Sequence, residues 1–407
     1  MTDSQDFSSR RHPTRRRLLQ GAAVTLGAAG VAPQLLAQAA PVRIGYAIAR
    51  TGPWAAGAQV SQEPNYLLWA EQVNAAGGLD VKGAKRPIEL QGFDDRSETE
   101  TCVRTYQKLM GSDKVELVLP PWGSGANFAI APLANRFGYP LLAPTALSRK
   151  LIDMHLPYFF SLLQQPDKMM GALVDLLVAQ KVKTIAIVYM DDLFGLENFA
   201  ALNAALKATQ IQVVERKSYP LGVKDLAPVL RGIQDLKPDA FIGITYPPDT
   251  LLVSRQSREI GFNPPYFYAS VGTAFQLYKN VMAANTEGVI GMGSWSVKTS
   301  PAAKAYFDAH VKKFNKEPDR WASGHCWAGL EILQQAVARA GLDRKALRDL
   351  IAKNEFKTIL GPIRFEGSEN ASIPGTVSQW QGNDFEVVWP QDRATAKLVA
   401  PKPAWKS

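Results

Sequence analysis

Short apolar runs alternate with amphipathic stretches along this chain, and the alternation carries most of what the sequence says about its fold. Val42 to Ile48, Ile88 to Phe93, Val115 to Leu119 and Leu141 to Ala143 are strand-length runs rich in apolar and β-branched residues. Between them, Asn65 to Ala75, Glu98 to Met110 and Ala126 to Phe137 carry apolar side chains at helical spacing; Cys102, Tyr106 and Leu109 form one such stripe. Strict strand–helix alternation predicts a parallel sheet covered by helices on both faces.

The pattern restarts at Thr184. Strands are expected at Thr184 to Tyr189, Val213 to Tyr219, Ala240 to Ile244 and Tyr266 to Ala269, and helices at Leu196 to Ala208, Leu226 to Leu236 and Thr250 to Ile260. Between the two series, Pro166 and Asp167 suit a crossing followed by a helix start. Past residue 290, helices are expected over Pro301 to Phe314, Trp321 to Ala340 and Arg344 to Ala352. Short strands follow near Ile363 to Phe365, Thr376 to Trp380 and Phe385 to Trp389. The economical assembly is α/β: two doubly wound parallel-sheet lobes with the chain crossing between them more than once. Residues 40–163 and 291–366 are assigned to lobe 1, 164–290 and 367–395 to lobe 2, and 396–407 to a tail. Ligands of such sheets sit beyond the carboxyl ends of the strands, which here means the cleft between the lobes.

Residues 1–39 stand outside this pattern. Thr14-Arg15-Arg16-Arg17-Leu18-Leu19 matches a twin-arginine export motif, an uncharged small-residue stretch follows from Gly21, and Ala37-Gln38-Ala39 fits an A-x-A cleavage site. A membrane span needs about 20 strongly apolar residues. Gly21, Gly27, Gly30 and Pro33 dilute this stretch, so it is expected to be a leader read by the Tat translocase and removed near Ala39 in the periplasm.

Composition narrows the chemistry. The leader holds five Arg and two Asp, so it supplies +3 of the net +9, and the remaining positive charge is scattered among acids. Lys82, Lys85 and Arg86 sit in a Gly-containing turn, a solvated loop rather than a nucleic-acid footprint. His155, His310 and His325 lack ligand spacing, and Cys102 and Cys326 are far apart, so neither a metal nor another cofactor is expected.

Pro120 to Asn127 (PPWGSGAN) joins a strand to a helix. Gly123 and Gly125 let a ligand approach the backbone, Ser124 offers a hydroxyl, and the helix start offers free N–H groups. The segment is either an anion site, suited to a carboxylate, or a plain helix cap. A nucleophile elbow needs glycines two residues either side of Ser124, where Trp122 and Ala126 stand. No histidine is placed by pattern to serve as base, and no phosphate-binding glycine motif follows a strand. Asp94-Asp95 at a strand end suits a turn cap better than acid–base work. No motif supports an enzyme.

Thr51-Gly52-Pro53, Val73 to Leu79 (VNAAGGL) and Phe93-Asp94-Asp95 resemble the opening of the branched-chain amino-acid type of periplasmic binding proteins, which serve ABC importers. The Gly-Ser-Gly segment, Leu142-Ala143-Pro144, Ile185 to Tyr189 with Phe194-Gly195, and Gly361-Pro362 continue the resemblance in order. It implies the periplasmic binding protein type I fold, a multi-strand hinge, a cleft that closes on one small ligand, a monomer, and delivery to ABC permease subunits without catalysis. The cysteine pair that some relatives carry near Ser97 and Gly123 is missing, so their small disulfide loop is expected to be absent.

Carried over residue by residue, the family site implies that Gly123 and Ser124 hold the ligand carboxylate. Thr145 and Ala146 fall at backbone-contact places, and Leu147 falls where the family has a threonine hydroxyl. Phe194 and Tyr246 match aromatic residues of the second lobe. Trp54 and Trp122 wall the side-chain pocket. The acid that neutralises an α-ammonium falls on Ser270. Burying an ammonium without a counter-charge costs several kcal/mol, enough to abolish micromolar binding worth about 8 kcal/mol. The expected ligand is therefore an aromatic or apolar carboxylate without an α-amino group. The alternatives are a hydrophobic amino acid neutralised by Asp191, Asp192 or Asp249, a sensory module of the same fold, and an exported hydrolase using Ser124. Trp69, Trp295, Trp321, Trp327, Trp380 and Trp389 are expected to be structural.

Overall fold

The computed structural model describes residues 39–406, so the export motif and the start of the cleavage pattern lie outside the described residues. In chain order, the first lobe runs β1 (Val42–Ile48), α1 (Ala55–Ser61), α2 (Glu63–Ala75), the hairpin β2 (Leu79–Val81) and β3 (Ala84–Arg86), and β4 (Ile88–Asp94). It continues through α3 (Thr99–Gln107), β5 (Leu117–Val118), α4 (Ser124–Phe137), β6 (Leu141–Ala143), α5 (Arg149–Asp153) and β7 (Phe159–Ser161). The second lobe comprises α6 (Pro166–Ala179), β8 (Thr184–Met190), α7 (Leu193–Leu206), β9 (Gln212–Tyr219) and α8 (Ala227–Asp235). It goes on with β10 (Ala240–Ile244), α9 (Pro247–Glu259), β11 (Tyr266–Ala269), α10 (Gln276–Met282) and β12 (Ile290–Gly291). The chain then returns to the first lobe as α11 (Pro301–Phe314), α12 (Ala322–Ala340), α13 (Arg344–Lys353) and the hairpins β13 (Phe356–Thr358)–β14 (Gly361–Ile363) and β15 (Phe365–Glu366)–β16 (Glu369–Asn370). Finally β17 (Val377–Gln381) and β18 (Asp384–Trp389) complete the second lobe.

The two α/β lobes follow from burial. In lobe 1, β1 lies between β4 and β5 in a parallel sheet, and β6, β7, β16 and β15 form a second set of strands. In lobe 2 the order is β18-β17-β12-β11-β10-β8-β9, parallel from β12 to β9 and antiparallel where β17 and β18 join. All five residues of β10 are buried. A parallel strand covered by helices on both faces has no solvent side, so its sequence reads as a continuous apolar run.

The chain crosses between lobes after β7, after β12 and after β16. Side chains tie the crossings together: Asn370 Nδ2 donates to the Leu162 carbonyl at 2.9 Å, and Thr376 Oγ1 donates to the Gly293 carbonyl at 2.7 Å. The last crossing falls later than the expected boundary at 366, because Glu369 pairs with Ser161 in the first lobe. Residues 396–406 lie along lobe 2. The Lys402 amide donates to the Pro265 carbonyl at 2.8 Å, Trp405 Nε1 to the Phe262 carbonyl at 2.7 Å, and the Trp405 ring meets Phe267 edge-on at 5.3 Å. Cys102 and Cys326 are both buried free thiols. Among the described residues no helix is long and apolar enough to cross a membrane.

Candidate functional site

Helix α4 starts two residues earlier than its apolar spacing predicts, at Ser124, and that shift builds the site. Gly123 is its N-cap with φ of 89°, a backbone region that favours glycine. The amides of Ser124, Gly125 and Ala126 then begin the helix without an acceptor among the described residues. Gln62 anchors the loop from below: its Nε2 donates to the Pro120 carbonyl at 2.7 Å, and its Oε1 accepts from Thr145 Oγ1 at 2.8 Å. Thr145 Oγ1 in turn accepts from the Gly123 amide at 3.1 Å. Ser124 Oγ, almost fully buried, exchanges two 3.1 Å hydrogen bonds with the amide and carbonyl of Leu147. Trp122 is fixed by a 2.9 Å bond from its Nε1 to Ser61 Oγ. Its ring lies so close to Gly57 that any Cβ there would overlap it.

The opposite wall comes from lobe 2. Tyr246 caps α9 and meets Trp54 at 4.6 Å, Phe194 at 5.0 Å and Trp122 at 5.9 Å between ring centroids. Trp54 and Trp122 stack at 6.3 Å. Four aromatic rings, two from each lobe, therefore face one another across the start of α4. They enclose a cavity of about 150 Å³ bounded by Trp54, Asp95, Trp122, Ser124, Asp192 and Tyr246, and a narrower slot reaching Thr145, Leu147, Phe194, Val271 and Trp321. No Lys, Arg or His lines either space.

Eight of the ten expected residues come together here: Trp54, Trp122, Gly123, Ser124, Thr145, Leu147, Phe194 and Tyr246. Two do not line the cleft. Ala146 is packed in the core of lobe 1, its carbonyl accepting from Ser161 Oγ at 3.1 Å. Ser270 Oγ is occupied by the backbone of Thr245, accepting from its amide at 2.8 Å and donating to its carbonyl at 2.9 Å. Of the three acids named as alternative counter-charges, Asp192 is the one that lines the cavity. It accepts from Tyr246 Oη at 2.8 Å and from the Gly195 amide at 2.8 Å. Trp321, expected to be structural, lines the slot, and Gln62, not singled out by the sequence, supports the loop from beneath; both depend on contacts distant in sequence. A larger groove, about 610 Å³, lies between α1, α2, α10 and the end of α11. It holds none of the expected residues, and its two acids are paired, Glu63 with Arg50 at 2.6 Å and Glu317 with Arg320 at 3.1 Å.

Three acids line the cavity, Asp95, Glu98 and Asp192; burial perturbs the first and last, whereas Glu98 is exposed and held low by the hydrogen bond from Thr101. Asp94, at the strand end, ties the loop after β1, accepting from the amides of Arg50 at 3.0 Å and Arg96 at 2.8 Å. Asp95 beside it is buried, which pushes its pKa up to about 6 although the Ser97 amide donates to it at 2.8 Å. Burial also raises Asp192. With no cation in the lining, stabilisation of a bound anion falls to the helix dipole and free amides.

A family model described as periplasmic binding protein matches residues 41–384. The Leu/Ile/Val-binding protein homolog 7 of Brucella suis is 23% identical over 400 residues, covering 90% of this chain and 97% of that protein. Among solved structures, the solute binding protein of an ABC transporter from R. palustris in complex with benzoate has a TM-score of 0.76 at 18% identity, covering 89% of this chain and 98% of that one. The branched-chain amino acid transporter substrate binding protein LivJ from Streptococcus pneumoniae, in complex with isoleucine, has a TM-score of 0.73 at 20% identity, covering 89% of this chain and 100% of that one. The chain belongs to the periplasmic binding protein family, whose members are non-enzymatic solute-binding proteins, and its two lobes have the type I fold of that family.

Two expectations follow. Asp95 has a folded pKa near 6 against about 3.9 unfolded, so the folded state holds its proton more tightly. Its contribution to stability is complete below about pH 4 and is lost as pH rises through 6, by up to about 3 kcal/mol. Urea melts from pH 4 to 7 should therefore show Asp95→Asn gaining on the native protein as pH rises; a constant difference would refute the assignment. Second, Glu197 on α7 reaches across the cleft to cap α5, accepting from Ser148 Oγ at 2.9 Å and from the Arg149 amide. Glu197→Ala should weaken closure by about 1 kcal/mol and speed ligand release five- to tenfold in stopped-flow fluorescence. An unchanged release rate would remove Glu197 as a closure contact.

Proposed function

We propose that this periplasmic binding protein captures a small carboxylate between its lobes and delivers it to the permease subunits of an ABC importer. The ligand is an aromatic or apolar acid without an α-amino group. The observation that carries this is the free N-terminus of α4 facing four aromatic rings. The carboxylate takes the amides of Ser124 to Ala126, and the ring takes the aromatic space. The volume supports one ring, since about 150 Å³ is enough to accommodate benzene, although this lining is partly polar. The benzoate complex of the R. palustris protein supports the same class.

Asp192 favours a second ligand. Its carboxylate borders the cavity and has lone pairs beyond those used by Tyr246 and Gly195, so it is able to neutralise the ammonium of leucine or phenylalanine. The isoleucine complex of LivJ supports that class. Isothermal calorimetry with benzoate, leucine and phenylalanine separates the two. Benzoate should bind in the micromolar range, and Ser124→Leu should weaken it at least 100-fold. Tight binding of an amino acid alone, lost in Asp192→Asn, would overturn the non-amino ligand. Benzoate affinity unmoved by Ser124→Leu would overturn the site.

Export follows the Tat route as a monomer, with the leader removed near Ala39. Mass spectrometry of the secreted chain should find Ala40 at its start, and Arg15→Lys with Arg16→Lys should retain the precursor in the cytoplasm. Secretion of that variant at the native rate would exclude the twin-arginine route.

A further inference from the structure

Trp321 enters the cleft from the segment that joins α11 to α12. Its amide donates to Asp319 Oδ1 at 2.8 Å, and its carbonyl accepts from Ser294 Oγ at 3.3 Å. These bonds hold the ring where it forms a wall of the slot shared with Trp122, Ser124, Phe194 and Tyr246. The residue is only 5 % exposed, and its Nε1–H is buried without an acceptor among the described residues. Buried N–H groups left unpaired are uncommon, because each forfeits its hydration without replacement. Trp122 in the same wall shows the ordinary outcome, its Nε1 donating to Ser61 Oγ at 2.9 Å.

The distribution of donors gives this indole a role. Ser124 borders both spaces, so a carboxylate at the start of α4 lies against the slot that Trp321 lines. The amides of Ser124 to Ala126 present donors from one lobe element, and the lining holds no cation to add another. We infer that Trp321 is a specificity-determining residue whose indole N–H donates a hydrogen bond to an oxygen of the bound acid. The inference rests on the carboxylate function proposed above and adds one named contact to it. A neutral donor aimed at an anion makes a charge-assisted bond, and a site built around it discriminates against ligands lacking an acceptor there.

The chain has nine tryptophans, so a ¹⁵N–¹H spectrum of the whole protein resolves their indole N–H groups directly. Trp321→Phe identifies the peak of interest by its loss; Trp321→Tyr, which keeps a larger ring, serves the same purpose if Trp321→Phe does not fold. On titration with benzoate, or with phenylalanine in the second arm, that peak should move downfield. Trp321→Phe should weaken benzoate about tenfold while leaving the binding of toluene, which has the ring but no acceptor, within twofold. If the Trp54 and Trp122 peaks move and the Trp321 peak stays still, the indole contact is overturned and the carboxylate site stands. If no indole peak responds to either acid, the proposed function falls and this contact falls with it. Equal losses for benzoate and toluene would make Trp321 a packing wall only, which also overturns the inference.

Discussion

The side-chain amide of Gln62 holds the rest of the site in place. It lies under the turn between β5 and α4, giving a donor to the Pro120 carbonyl and an acceptor to Thr145, which in turn receives the Gly123 amide. A fully buried amide in this position is stable only because its donors and acceptors are matched. The result is a helix start whose first amides are presented to the cleft rather than satisfied by a side-chain cap. Backbone donors fixed in this way need no reorganisation when an anion arrives, and they carry partial positive charge without a titratable group.

Closure is built from the other kinds of contact. Tyr246 and Phe194 belong to lobe 2, Trp54 and Trp122 to lobe 1, and the four rings meet only when the lobes approach. Aromatic surfaces suit this duty because they bury large areas with few rotatable bonds. Glu197 adds a polar bridge at the margin, where it is partly solvated and contributes modestly. Behind the cleft, Asn370 and Thr376 lace the three crossings together, so the lobes are joined by one connected region rather than by separate threads.

The acids around the cavity shape its electrostatics. Asp95 and Asp192 are both raised by burial, which lessens their repulsion of an anion without removing it. Asp192 also serves α7, accepting the Gly195 amide as an N-cap, so its presence has a structural cause independent of any ligand. Helix-start chemistry thus appears twice, as a free end at α4 and a capped end at α7, and the two ends give the cleft opposite electrostatic characters.

The strand–helix order, and with it both lobes, was legible because parallel strands buried on two faces read as apolar runs, and helices between them repeat every three or four residues. Gly123 marked the turn before α4, since its positive φ leaves a local trace in the sequence. Other features leave no such trace. Ser270 differs from its expectation because a hydroxyl's partner, here the Thr245 backbone, is chosen by strand pairing. Asp192 and Trp321 reached the cleft through the meeting of two lobes and the path of the hinge. Local spacing determined the elements and the turn that offers amides to a ligand; only the tertiary structure decided which side chains share that space, because their proximity is set by chain crossings tens to hundreds of residues apart.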